Sequence, residues 1–160
     1  MRAVIQRVSE ASVEIEGKEP RSVGRGLLIL LGIAKEDGEE DITWMVRKIS
    51  GMRIFTDSEG RMNLSLTQIG GEAMVVSQFT LLADTKKGNR PSFDPAAPPE
   101  IAVPLYESFV EELGLALEQK VLTGEFGASM RVSLVNEGPV TIILDTDETR
   151  RGNRRDPRTP

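Results

Sequence analysis

The chain has 160 residues, with 20 Lys and Arg against 25 Asp and Glu, a formal charge of −5, and neither Cys nor His. At this length one domain is the default, and about 68–70% of the unfolded surface can be buried, so folding requires no disulfide or metal. The missing residues exclude disulfides, thiolate nucleophiles, Cys-based zinc sites and a Ser-His-Asp triad; catalysis falls to carboxylates, Lys, hydroxyls, backbone groups or the substrate itself.

From the N-terminus, Val4, Gln6 and Val8 alternate with Ile5 and Arg7, and Ser12 to Glu16 alternates again before Gly17. This predicts two short strands, 4–8 and 12–16, rather than a signal peptide. The stretch Leu27 to Ile33 is apolar on both faces, as a central buried strand is. With Gly32 inside it, the apolar run to Ala34 is far short of a membrane span, so the expected protein is soluble, cytoplasmic and free of membrane partners. A helix is predicted over about 38–50, capped by Asp37, with Ile42, Met45, Val46 and Ile49 at helical spacing. Met52 to Phe55 reads as a strand ended by the turn Asp57-Ser58-Glu59-Gly60.

Ala73 to Phe79 is a second buried strand that turns abruptly polar at its end. Residues 84–99 are loop-like, rich in Lys, Gly, Asn and Pro. A second helix starts near Pro99, with Leu105, Phe109, Val110 and Leu113 on one face and Pro104 in about its first turn. Strands at about 118–123, 128–135 and 140–145 complete one domain over 1–145. The pattern predicts an α/β fold: mixed β-sheets forming a small barrel-like core with two helices packed on one side. Residues 146–160 have almost no apolar side chain and are expected to be a disordered, Arg-rich tail. They hold five Arg and three acids, which leaves 1–145 at −7. Such a body is no general nucleic-acid coat, so nucleic-acid contact has to be local.

Two segments stand out chemically. At Ser77-Gln78-Phe79-Thr80-Leu81 a strand end either satisfies its own hydroxyls or presents N–H groups and hydroxyls to a ligand; spacing does not choose. Asn136-Glu137-Gly138-Pro139-Val140-Thr141 reads, on composition alone, as a hairpin turn. Together they resemble a known family. The first resembles the SQFTL motif of D-aminoacyl-tRNA deacylases and the second that family's NxGPVT signature. The opening MRAVIQRV, Lys87 to Phe93 and Thr123 to Ala128 are similar to family sequence too. The likeness runs from Met1 to about Asp145 and offers no role for the tail.

The resemblance implies a deacylase-type three-layer fold and hydrolysis of the ester between a D-amino acid and the terminal adenosine of tRNA, with removal of mischarged glycine as well. It implies a homodimer in which Gly138 and Pro139, joined by a cis peptide, enter the partner's site beside Ser77, Gln78, Phe79 and Thr80. Arg7, Met130, Asn136 and Thr141 become supporting residues, and Lys86, Lys87 and Arg90 contacts for acceptor-stem phosphates. No cofactor or metal is implied. The missing His then makes sense: an aminoacyl ester is already activated, and the neighbouring ribose 2′-OH can assist attack. Backbone N–H groups near Gln78 and Phe79 are the expected oxyanion donors. Thr80 is expected to position rather than attack, because nothing nearby would deprotonate it. A related deacylase editing an L-amino acid and a non-catalytic RNA-binding barrel remain alternatives. Against the barrel stand one Trp, one Tyr, five Phe and the negative balance.

Overall fold

The computed structural model describes residues 1–148. Six strands form one sheet in the path β2-β1-β3-β6-β7, with β8 on the other edge of β1. These are β1 (Arg2–Ile15), β2 (Arg21–Val23), β3 (Gly26–Gly32), β6 (Glu72–Ser77), β7 (Leu122–Thr123) and β8 (Met130–Asp145). The ends of the path approach each other. Arg21 of β2 donates to the carbonyls of Thr123 (2.6 Å) and Gly124 (3.0 Å), drawing the sheet into the nearly closed, barrel-like form.

The apolar run at 27–33 is β3, and its position explains its composition. It pairs antiparallel with β1 and parallel with β6, so both faces are covered. Leu27, Ile29 and Leu31 join Ala3, Ile5, Ala73 and Val75 against the helices. Leu28 packs on the opposite face with Val8, Ala11, Val13, Val23, Met74 and Val76, inside the curl. Both helices, α1 (Glu39–Ser50) and α2 (Pro99–Leu117), lie on the first face, where Ile42, Met45, Ile49, Tyr106, Phe109 and Leu113 are buried.

The strands expected at 4–8 and 12–16 are one strand. Its register against β8 slips between Gln6 and Val8 and again between Val8 and Glu10. A bulge reverses the side-chain phase without breaking the strand, which is why Ala3 and Ile5 face the helices while Ala11 and Val13 face inward. For the same reason the strands expected at 128–135 and 140–145 are the single sixteen-residue β8.

Other boundaries move for local reasons. Gly38 caps α1, and its N–H donates to Asp41 Oδ2 at 2.9 Å. Asp37, the expected cap, is buried instead, accepting bonds from the Met1 ammonium (2.5 Å) and the Ala34 N–H (2.6 Å). The strand expected at 52–55 is displaced into a hairpin, β4 (Phe55–Thr56) with β5 (Met62–Leu64). Asp57 shapes its turn by accepting the Arg61 and Glu59 N–H groups, above all the former, which holds its carboxyl below the usual range. The buried face of α2 is Ala102, Tyr106, Phe109, Leu113 and Leu117; Leu105 and Val110 flank it half-buried. Pro104 lies beyond the first turn. The strand expected from 118 starts only at Leu122, because Glu118 adopts a left-handed conformation (φ 53°) to end the helix. The Arg-rich tail expected from 146 is described only to Glu148: Thr146 is 2% exposed and donates its N–H to the Met1 carbonyl at 2.9 Å, and 149–160 lie outside the described residues.

Candidate functional site

Strand β6 ends at Ser77, opposite Leu31, and the Gln78 N–H donates to the Leu31 carbonyl at 2.8 Å. Gly32 permits the approach, since a Cβ there would lie 2.9 Å from the Gln78 carbonyl oxygen. The chain then leaves the sheet and winds through a 3-10 turn, Phe79–Leu82. Its first internal bond is Leu81 N–H to the Gln78 carbonyl at 3.2 Å. A helical start leaves its leading N–H groups without partners inside the helix, and here those are Phe79 and Thr80. The Gln78 N–H, expected as an oxyanion donor, is committed to the sheet. The Gln78 side-chain amide donates to Thr80 Oγ1. Phe79 is 56% exposed and meets Phe93 edge-on, ring centroids 5.1 Å apart.

Beneath this turn lies a cleft of about 70 Å³, walled by Ser77, Gln78 and Phe79 on one side and by Phe126 and Gly127 on the other. Tyr106 stands behind both walls. Its hydroxyl donates to the Val75 carbonyl at 2.9 Å, and its ring meets Phe126 edge-on at 5.9 Å. Burial pushes the phenol well above its ordinary value, so it remains a donor. Sequence reasoning did not assign Tyr106, Phe126 or Phe93 to the site. The signal for Phe126 was an aromatic between two glycines joining strands; Tyr106 stood one residue off the expected helix face.

The second segment is no hairpin. Gln6 pairs with Thr141 and Val8 with Asn136, so Glu137 to Val140 loop out of β8 opposite the single residue Arg7. Asn136 closes the loop, accepting the Val140 N–H (2.7 Å) and donating to the Val140 carbonyl (3.2 Å) and Thr141 Oγ1 (3.1 Å). Arg7 is 8% exposed and grips the loop from behind, with Nε to the Glu137 carbonyl at 2.8 Å and Nη1 to the Ile54 carbonyl at 2.6 Å. Gly138 has φ +145°, where a Cβ would sit 2.7 Å from Val140 Cγ2 and 3.0 Å from Arg7 Nη2. The Gly138–Pro139 peptide is cis, and both residues are exposed.

One chain does not bring the two segments together. Neither Gly138 nor Pro139 lines the cleft, and the atoms nearest a Gly138 Cβ belong to Val140 and Arg7. Met130 also stands apart from the cleft. Its sulfur packs on Gly124 and accepts the Glu125 N–H at 3.4 Å, one residue before Phe126 of the cleft wall. Lys86, Lys87 and Arg90 are exposed on the loop pinned by the Asp84–Ser92 bridge, close in sequence to the 3-10 turn. Larger grooves lie away from both signatures: two of about 540 and 520 Å³ run along β1 and β8, and one of about 550 Å³ is lined by α1 and α2. Among the described residues, no group of three or more Asp or Glu could hold a metal ion.

Comparison with known proteins identifies the family of the chain. The model of the D-Tyr-tRNA(Tyr) deacylase family matches residues 4–145. A D-aminoacyl-tRNA deacylase of Bacteroides thetaiotaomicron is 58% identical over 146 residues, covering 91% of this chain and 97% of that protein. One from Porphyromonas gingivalis is 60% identical over the same length and shares. Among solved structures, a c-Myc DNA Unwinding Element Binding Protein superposes with a TM-score of 0.84 at 43% identity, covering 91% of this chain and 98% of that one. A probable eukaryotic D-amino acid tRNA deacylase reaches 0.78 at 18% identity, over 89% and 97%, a likeness of fold.

Proposed function

The chain belongs to the D-Tyr-tRNA(Tyr) deacylase family, and from that premise we propose that it cleaves D-amino acids and glycine from tRNA in a site completed by a second copy of itself. Family membership makes it an ester hydrolase and sets aside the non-catalytic barrel. The observation that carries the two-copy reading is the outward fixing of Gly138 and Pro139. Asn136 and Arg7 make four hydrogen bonds to, or directly beside, a loop that does not enter its own chain's cleft, and a bond to the Ile54 carbonyl anchors Arg7 itself. A second copy gives that loop a cleft to enter, beside Ser77 to Thr80.

In the assembled site the Phe79 and Thr80 N–H groups face the oxyanion that forms as water attacks the ester carbonyl. One such donor is typically worth about 2.7–4 kcal/mol. The ribose 2′-OH assists attack and relays a proton towards the departing 3′-oxygen, which replaces the histidine base the chain lacks. Thr80 positions the ester: its oxygen already accepts the Gln78 amide, and among the described residues no carboxylate or amine is hydrogen-bonded to it. The Gly138 and Pro139 carbonyls receive the α-amino group, and their main chain fills the space an L side chain would need. Glycine has no side chain to exclude. Arg7, Asn136 and Thr141 hold this gate, Met130 supports the wall that carries Phe126, and Lys86, Lys87 and Arg90 meet acceptor-stem phosphates. This is chiral proofreading of aminoacyl-tRNA, placed with translation in the cytoplasm; among the described residues no helix is long and apolar enough to cross a membrane.

The test is release of amino acid from D-Tyr-tRNA, L-Tyr-tRNA and Gly-tRNA, and from D-Tyr-tRNA with a 2′-deoxy terminal ribose. The D ester and Gly-tRNA should be cleaved about 100-fold or more faster than the L ester, and the 2′-deoxy substrate far more slowly than its parent. Preference for the L ester would return the site to L-amino acid editing.

A further inference from the structure

The 3-10 turn Phe79–Leu82 is bonded internally except at its far end. The Leu81 N–H donates to the Gln78 carbonyl (3.2 Å) and the Ala83 N–H to the Thr80 carbonyl (3.1 Å). Were the winding to continue, the Asp84 N–H would take the Leu81 carbonyl; it donates instead to the Ser92 carbonyl at 2.7 Å. The last carbonyls of a helical turn need partners outside it. Arg2 supplies one. Its Nη1 donates to the Leu81 carbonyl at 2.7 Å, while Nε (2.8 Å) and Nη2 (2.7 Å) both hold Asp145 Oδ2.

Strand register places Arg2 there. On β1 it stands between Gly32 of β3 and Asp145 of β8, and residues directly opposite each other present their side chains on one face. Gly32 presents none. A Cβ on it would lie 2.9 Å from the Gln78 carbonyl oxygen and 3.2 Å from Leu81 Cβ, so the turn rests on the bare end of β3. The guanidinium reaches the turn across that glycine. Asp145, on the other side, keeps it from swinging into solvent: the Arg2 side chain is 38% exposed and that of Asp145 12%. The strands beneath are fixed one residue further on, where the Thr146 N–H donates to the Met1 carbonyl at 2.9 Å.

The structure assigns to Arg2 and Asp145 the positioning of the proposed oxyanion turn. The pair holds the far end of the turn, so that the Phe79 and Thr80 N–H groups at its near end stay aimed at the ester. The assignment rests on the deacylase reading for what those N–H groups meet. A half-exposed ion pair adds little to folding stability. Donors aimed at a developing charge, by contrast, act strongly only if they need no reorganisation when the charge forms. The loss on removing Arg2 therefore belongs in kcat, with little change in the urea midpoint or in KM.

The experiment compares, in the full chain, Arg2→Met, Arg2→Lys, which keeps the charge without the fork of donors, and Asp145→Asn, alone and combined with Arg2→Met. For Arg2→Met, kcat on D-Tyr-tRNA should fall about 10–100-fold at unchanged KM, and Arg2→Lys should recover part of that loss. The double variant should be no slower than Arg2→Met, because both changes disable one device. Amide hydrogen exchange reads the turn without catalysis. In Arg2→Met the Leu81 and Ala83 N–H groups should exchange about 10-fold faster, while the Gln78 N–H, held in the sheet by the Leu31 carbonyl, keeps its wild-type rate. Wild-type kcat, or unchanged exchange at Leu81 and Ala83, would overturn the assignment. Equal acceleration at Gln78 would overturn it too, as a general loosening of the fold. A rise in KM at constant kcat would make Arg2 a phosphate contact instead. A wild type that releases no D-tyrosine from tRNA would sink the deacylase reading, and the exchange comparison would still decide whether Arg2 fixes the turn.

Discussion

At the scale of single residues, two hydroxyls divide the work. Thr80 carries the hydroxyl nearest the proposed chemistry, yet its oxygen accepts the Gln78 amide, and among the described residues no carboxylate or amine is hydrogen-bonded to it. Thr80→Ala removes one positioning hydrogen bond, worth about 1 kcal/mol, so single-turnover cleavage of D-Tyr-tRNA should slow by less than about 10-fold. A loss of about a millionfold, the scale of a nucleophile knockout, together with an acyl-enzyme in quenched wild type, would make Thr80 the nucleophile. Tyr106 is the other, and the only tyrosine in the chain. Burial raises its pKa above the ordinary 10.0. Between that value and the folded-state pKa, the unfolded chain loses the phenolic proton while the folded chain keeps it. The unfolded state then binds fewer protons, and stability falls as pH rises. Urea midpoints measured from pH 8 to 11 should therefore drop more steeply for wild type than for Tyr106→Phe, which itself starts lower for want of the bond to Val75. Parallel curves would mean the phenol ionises freely in the fold.

At the scale of elements, the loop in β8 is the feature that a sequence conceals best. Strand β3 was legible because both its faces are apolar, and α1 because Ile42, Met45, Val46 and Ile49 all point one way. The continuity of β1 and β8 was not, because bulges reverse the alternation that defines a strand and so imitate a break. Strand β2 has three residues and no period to read. Asp37 looked like a cap, but the Met1 ammonium claims it across 36 positions of sequence. The two signature segments were visible as sequence; their separation within one chain was a matter of register. That register makes Gly138 testable. At φ +145° a side chain is strained by about 1–3 kcal/mol, and the added Cβ would crowd Val140 and Arg7. Gly138→Ala should keep the far-UV circular dichroism of wild type and lower the urea midpoint by no more than that strain, because the loop is exposed, while kcat/KM on D-Tyr-tRNA falls about 100-fold or more. Wild-type kinetics in a well-folded Gly138→Ala protein would remove this loop from the site.

At the scale of the whole molecule, β8 is an edge strand among the described residues, pairing only with β1, and it exposes Leu134, Val135 and Ile143, the last by 67%. Long apolar edges invite pairing with another chain, and here the edge carries the loop that the proposed two-copy site inserts into a second cleft. A closed two-fold dimer makes both exchanges at once: each chain lends Gly138 and Pro139 and borrows a cleft. Mixing tests this arithmetic. Phe79→Pro deletes one proposed oxyanion donor at the start of the 3-10 turn, where proline is tolerated, and should cost about 100–1,000-fold. Gly138→Ala damages the lent loop instead. In a mixed dimer one site holds both defects, while the other holds an intact Ser77–Thr80 segment and an intact loop. With equal amounts and random exchange, half the dimers are mixed, and about a quarter of all sites regain wild-type composition. Deacylation should recover towards that fraction as subunits exchange, at the pace of energy transfer between dyes carried on the two variants. Full exchange with no gain over the separate proteins would show that each chain builds its site alone.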